Sequence, residues 1–239
     1  MKLSLTIVLA LTLQYSFGQE KKLNPKNIIL MIGDGMGLSQ VSSAFYYQET
    51  SSNFERFPYT GLIKTSSFAH KITDSAAGAT AFSAGVKTYN GAIGVDKDSL
   101  SVATIIENVS DKMRTGIIAT SSVTHATPAS FYAHSDSRKK EEDIASFLHK
   151  SPVDFLAGGG LQFFNERTDQ VNLLDSLSFY GFEVNTSSLK NENSLNTNSP
   201  NIFLLAPDAM PPASERGDYL TEATQKALNY LSQDNTGFF

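Results

Sequence analysis

The stretch Lys71–Gly85, KITDSAAGATAFSAG, sets an acid and a hydroxyl, Asp74 and Ser75, directly ahead of a run of very small side chains. If that run is helical, Ser75 stands in its first turn, where backbone N–H groups lack partners and the helix dipole is positive. Such a position suits a phosphate. Ala76, Ala77 and Gly78 would let neighbouring backbone approach closely. A plainer reading uses the same residues, with Asp74 simply capping a tightly packed helix. Ser83 competes for a nucleophile's role, because AFSAG is a relaxed form of the serine-hydrolase elbow. That elbow requires a strand before it, whereas Ser83 follows SAAGATA, and no partner Asp and His are marked out.

Asp34 follows the apolar run IILMIG, at the carboxyl end of an expected strand, where parallel sheets hold ligands and a carboxylate can bind a divalent cation. A turn-forming Asp is the alternative there. The segment THATPASFYAHSDSR offers His125 and Thr127 just after a second apolar run, with Arg138 eleven residues beyond Thr127. Arginine's planar fork matches two phosphate oxygens. Taken singly, His125 is a loop histidine, Arg138 a solvated charge, and His70, His134 and His149 surface or packing residues.

These residues need a scaffold, and the periodicity supplies one. Asn27–Ile32 (NIILMI) reads as a strand buried on both faces. Ser101 is placed to cap a helix carrying Val102, Ile105, Ile106 and Val109, after which GIIAT, 116–120, reads as another buried strand. RKKEED leads into a helix with Ile144, Phe147 and Leu148 on one face, then VDFLA, 153–157, forms a strand closed by three glycines. A polar stretch, 185–200, reads as a surface excursion, strand signals resume over 202–205, and a helix capped by Asp218 turns Leu220, Ala223, Ala227, Leu228 and Leu231 inward. Such alternation predicts an α/β fold with a mostly parallel central sheet covered by helices on both faces.

Composition agrees with a globular chain. It has 239 residues, 41% hydrophobic and 18% charged, with a net charge of −5, so it carries no basic footprint for nucleic acid. It has no cysteine, which excludes disulfides. Residues 1–18, with one lysine, an apolar run from Leu3 to Leu13 and small residues at Ser16 and Gly18, read as a signal peptide. The run is too short for a stable membrane span, so an exported protein, periplasmic or extracellular, is expected, with 19–239 forming part of one domain.

IGDGMG, TDSAAGATA, THATPA with its arginine, and GGG follow one another in the order found in alkaline phosphatases, and the chain strongly resembles that family from about Asn27 to its last residue. The resemblance implies a phosphate monoester hydrolase with Ser75 as the nucleophile that becomes phosphoserine. Arg138 would grip the phosphoryl oxygens, Asp34 would bridge a zinc and the magnesium, and Thr127 would be a magnesium ligand. His125 stands where family members carry Asp or His, so direct ligation and contact through water both remain open. Two zinc ions and one magnesium are the implied cofactors, and a homodimer the implied assembly. The family's remaining metal ligands fall in sequence beyond TGFF, which marks the chain as the amino-terminal portion of an enzyme. A phosphodiesterase or specialised phosphatase with the same metal core, and an inactive phosphate-binding fragment, are the alternatives. Amino-terminal sequencing of exported protein is expected to begin near Gln19; an intact Met1 would favour a membrane anchor instead of a cleaved leader.

Overall fold

The computed structural model describes residues 26–189, 195–196, 198–233 and 235–239. The expected signal peptide and part of the polar excursion lie outside the described residues. Four strands form one sheet: β1 (Gly116–Ser122), β2 (Phe155–Gly159), β3 (Glu183–Asn185) and β4 (Asn201–Leu204). Their order across the sheet is β1-β2-β4-β3, and every pairing is parallel.

Eight α-helices accompany the strands among the described residues: α1 (Leu38–Tyr47), α2 (Ser75–Ala84), α3 (Ile105–Val109), α4 (Ala126–Ala129), α5 (Glu141–Ser146), α6 (Gln162–Asn165), α7 (Leu173–Phe179) and α8 (Tyr219–Leu231). Successive strand residues face opposite sides of the sheet, so each central strand feeds two cores. Leu156, Ile202 and Leu204 face one, with Ile106, Ala126, Ile144, Leu148, Phe164 and Leu177 from the helices. Phe155, Ala157 and Phe203 face the other, where α8 supplies Tyr219, Ala223, Ala227 and Leu231. The expected two-sided parallel α/β sheet is what the chain forms.

Four local expectations need correction. Asn27–Ile32 is not a ladder strand: its pairing is a single bridge from Asn27 to Phe238, with the Ile28 N–H donating to the Phe238 carbonyl at 2.8 Å. Ile29 is 61% and Met31 79% exposed, because an apolar run becomes a buried strand only where covering elements lie on both faces, and the described residues bring none here. The helix after Ser101 begins later, capped by Thr104, whose hydroxyl accepts from the Glu107 N–H while the Glu107 carboxylate accepts from the Thr104 N–H. This reciprocal box satisfies two otherwise orphaned donors, which Ser101 could not do from three residues upstream. Asp218 occupies the N-cap of α8 without a side-chain capping bond, and Leu220 is 42% exposed while Tyr219 and Tyr230 fill the inward stripe instead. Among the described residues no helix is long and apolar enough to cross a membrane.

Residues 237–239 are tied by backbone bonds on two sides. The Phe239 N–H donates to Arg114 O at 2.8 Å and the Gly116 N–H to Phe239 O at 2.9 Å, so the segment 237–239 lies beside the entry of β1 and bridges it to Ile28. At the opposite end of β2, a side chain at Gly159 would overlap the backbone carbonyl of Asp208, whereas Gly85, at φ +70°, has open space around it. Gly159→Ala is expected to cost about 3 kcal/mol of unfolding free energy by overpacking. Gly85→Ala should cost about 1 kcal/mol, from backbone strain alone. Urea titration of both variants checks this, and a smaller loss at Gly159 would show that the Asp208 segment yields easily.

Candidate active site

Asp74 caps α2 through Oδ1, which accepts from the Ala77 N–H at 2.9 Å. Ser75 therefore occupies the first helical position, where its own N–H and that of Ala76 belong to the unpaired group at a helix start. The small residues behind it have a packing role: Ala76, Ala77 and Ala79 are buried, and α4 packs directly on α2. Thr80 ties the pair to the next loop, its hydroxyl donating to Ala92 O at 3.1 Å and accepting from the Gly94 N–H at 3.0 Å.

The sequence-predicted residues converge in two linked groups. The Ser75 hydroxyl donates to Asp34 Oδ1 at 3.0 Å, and the Thr127 hydroxyl donates to Asp34 Oδ2 at 2.9 Å, so one carboxylate joins residues 41 and 93 positions away. Arg138 donates through Nη1 to Asp74 Oδ2 at 3.2 Å and through Nη2 to His125 Nε2 at 3.0 Å. A guanidinium can only donate, so His125 Nε2 is the acceptor and its ring proton resides on Nδ1. In this arrangement the Nε2 lone pair is engaged by Arg138. Ser83, the rival nucleophile, is buried in the last turn of α2 and its hydroxyl donates to Thr80 O at 3.4 Å.

Sequence reading missed most of what holds Arg138. Asp74 Oδ2 also accepts from the Gly91 N–H at 2.9 Å, and the Arg138 N–H donates to Gly91 O at 2.7 Å. Ile93 and Ser135 exchange two backbone bonds of 2.8 Å, zipping the loop after α2 to the arginine loop. His134 extends the zipper, with Nδ1 at 2.6 Å from Gly94 O and Nε2 at 3.0 Å from Glu107. Burial opposes ionisation of Glu107, but the Thr104 N–H and the His134 imidazole outweigh it and hold the carboxyl below its usual range. That stabilisation is present at neutral pH and is lost as the pH falls through the lowered value. DSAA with its downstream NG was the available signal for the Asp74–Gly91 link; nothing marked His134. His70 and His149 lie outside these groups: His149 stacks on Tyr180, and His70 pairs with Ser67.

A shared ancestry accounts for this arrangement, because residues 25–239 match the family model Alkaline phosphatase. The chain belongs to the alkaline phosphatase family. Alkaline phosphatase 4 of Bacillus subtilis (strain 168) is 33% identical over 92% of this chain and 51% of its own length. Alkaline phosphatase 3 of the same organism is 35% identical over 90% and 49%. The alkaline phosphatase from the Antarctic bacterium TAB5 superposes with a TM-score of 0.87 at 50% identity, covering 90% of this chain and 64% of that one. A histidine-to-aspartate variant of it is described with magnesium bound in its M3 site. The chain thus spans about half the length of the curated relatives it matches.

Alkaline phosphatases are metal-dependent, which makes the donors here worth testing against a cation. Asp34 and Thr127 offer hard oxygen atoms on a shared centre, as magnesium prefers. For zinc, Asp34 and Ser75 alone fall short of a four-donor set, and among the described residues no three His, Cys, Asp or Glu side chains cluster.

Asp74 is the testable link between helix and arginine. Asp74→Ala is expected to lower unfolding free energy by about 1–2 kcal/mol through loss of the cap and of two further donors' partner. Urea denaturation monitored by circular dichroism measures it; an unchanged midpoint would mean that the three bonds contribute nothing net.

Proposed function

We propose that the protein containing this chain hydrolyses phosphate monoesters by way of a covalent phosphoserine at Ser75. The observation that carries the reading is the pairing of Ser75 with Asp34 at the start of α2, beside an arginine held on the adjacent residue, Asp74. Asp34 Oδ1 holds the hydroxyl proton of Ser75, leaving the oxygen's lone pairs free to approach phosphorus. As the Oγ–P bond forms the ester P–O bond breaks, the Ser75 proton passing to Asp34 while water protonates the departing alkoxide; water then attacks phosphorus, the Oγ–P bond breaks and Oγ recovers a proton as phosphate leaves. Arg138 has a planar fork suited to the non-transferring oxygens, and the N–H groups of the helix start add positive potential on the same anion. His125 and Asp74, one on each terminal nitrogen, fix the plane of that fork.

Magnesium fits Asp34 and Thr127, with His125 nearby. Asp34 and Ser75 would be this chain's share of a zinc's donors, and a zinc completed there by further donors would supply the activation that a histidine base gives in other serine enzymes. The apolar leader supports an exported protein, periplasmic or extracellular. No feature of the described site favours diesters over monoesters.

Labelled inorganic phosphate, incubated with the metal-supplied full-length protein and quenched at low pH, is expected to remain covalently attached. Ser75→Ala should abolish the label and Ser83→Ala should keep it. The opposite pattern would transfer the nucleophile's role to Ser83.

A further inference from the structure

The turn between β1 and α4 carries both His125 and Thr127, and it is clamped from two sides by side chains with no role in the chemistry described so far. On one side, the buried Tyr132 hydroxyl donates to Val123 O at 3.2 Å. Burial, with the Glu141 charge adding to it, pushes the Tyr132 phenol far above its usual range, so this donor keeps its proton in alkaline solution. On the other side, the Thr124 hydroxyl donates to Glu141 Oε2 at 2.6 Å. Its single proton is committed there, so the 2.5 Å contact with Ser122 Oγ has Ser122 as donor, and Ser122 Oγ in turn accepts from the Thr124 N–H at 3.2 Å. Thr124 is fully buried and Ser122 nearly so, which makes the relay from Ser122 through Thr124 to the Glu141 carboxylate strong and costly to break.

Glu141 opens α5 only three residues after Arg138, while Thr124 directly precedes His125. The relay therefore ties the backbone that presents Arg138 to the backbone that presents His125, the two groups whose side chains meet at 3.0 Å. RKKEED reads from sequence as a charged helix start, and an acid in that first turn also favours the helix dipole. A carboxylate there for helix stability alone would not need a buried threonine as its partner.

We infer that Glu141, acting through Thr124, is a positioning residue for Arg138, whose fork His125 braces for its grip on phosphate, an assignment that rests on the phosphoserine reading of Ser75. Glu141 accepts from the buried Thr124 hydroxyl. It fixes the separation between the arginine loop and the 122–125 turn, so that the guanidinium fork meets a phosphoryl group already aligned.

The test is inhibition of p-nitrophenyl phosphate hydrolysis by inorganic phosphate, measured on the metal-supplied full-length protein well below its melting temperature. Thr124→Val and Glu141→Gln are each expected to raise the phosphate inhibition constant about tenfold, while Thr124→Ser, which keeps the hydroxyl, stays within about twofold of the parent. In an Arg138→Ala background, Thr124→Val should change the constant by less than about twofold, because the group it aligns is gone. A purely structural relay would lower the melting temperature and leave phosphate inhibition unmoved, and that result overturns the assignment. An undiminished tenfold effect without Arg138 overturns it as well. If Thr124→Val does not fold, Glu141→Gln, which keeps shape and loses charge, carries the same comparison. A parent protein that neither hydrolyses the ester nor is inhibited by phosphate removes the Ser75 reading and this assignment together, whereas an active, inhibited parent with unaffected variants removes this assignment alone.

Discussion

The carboxylate of Asp74 is the joint on which the site turns. One oxygen closes the end of α2 through the Ala77 N–H and so sets the position of Ser75; the other gathers the Gly91 N–H and the Arg138 guanidinium. A carboxylate offers acceptor sites for all three donors, and the pairing of a partly buried acid with an arginine keeps the geometry narrow. A neutral cap such as Ser would order the helix equally well but would leave the arginine without an anchor. The positions of Ser75 and of Arg138 are thus set by one side chain, the residue before Ser75 in sequence.

The sheet's part is to bring distant segments to one edge. β1 runs to Ser122 and releases the turn that carries His125 and Thr127, while residues 89–94 and 133–138 close over it as a zipped pair of loops. Two tight approaches make this closure feasible. Gly94 lies against the backbone of Ala133, where a side chain would overlap, and Gly158 faces Val123, where one would collide. Bulk at either position would separate the arginine loop or the β1 turn from its neighbour.

The motifs were legible because their chemistry is local. Asp74 and Ser75 stand side by side, and His125, Thr127 and Arg138 fall within one short stretch, so residue type and spacing already suggested a phosphate site. Strands β1, β2 and β4 were legible from apolar runs that really are covered on both faces. Asn27–Ile32 shows the limit of that logic, since hydropathy reports what a segment could bury and not whether a partner is at hand; among the described residues its bridge goes to Phe238 alone. The cap at Thr104 turns on a reciprocal bond with Glu107 three residues on, which outweighs the capping preference of Ser101 taken by itself. Glu141 and His134 were invisible for a related reason: their partners, Thr124 and Glu107, lie 17 and 27 residues away, and charge in a run of charges carries no sign of a buried contact.

The bond from Thr127 to Asp34 closes a loop of 93 residues, and that from Ser75 closes one of 41. Chain entropy must be overcome before such contacts are rewarded, so short-range elements such as α2 with its Asp74 cap can form early, while the Asp34 centre waits for the sheet. Asp34 itself sits in a segment with little packing of its own, held near its start by Phe238. On that ground the Ser75–Asp34–Thr127 centre closes after its helix, and a half-folded chain shows the Ser75 hydroxyl on a finished helix with no carboxylate yet beside it.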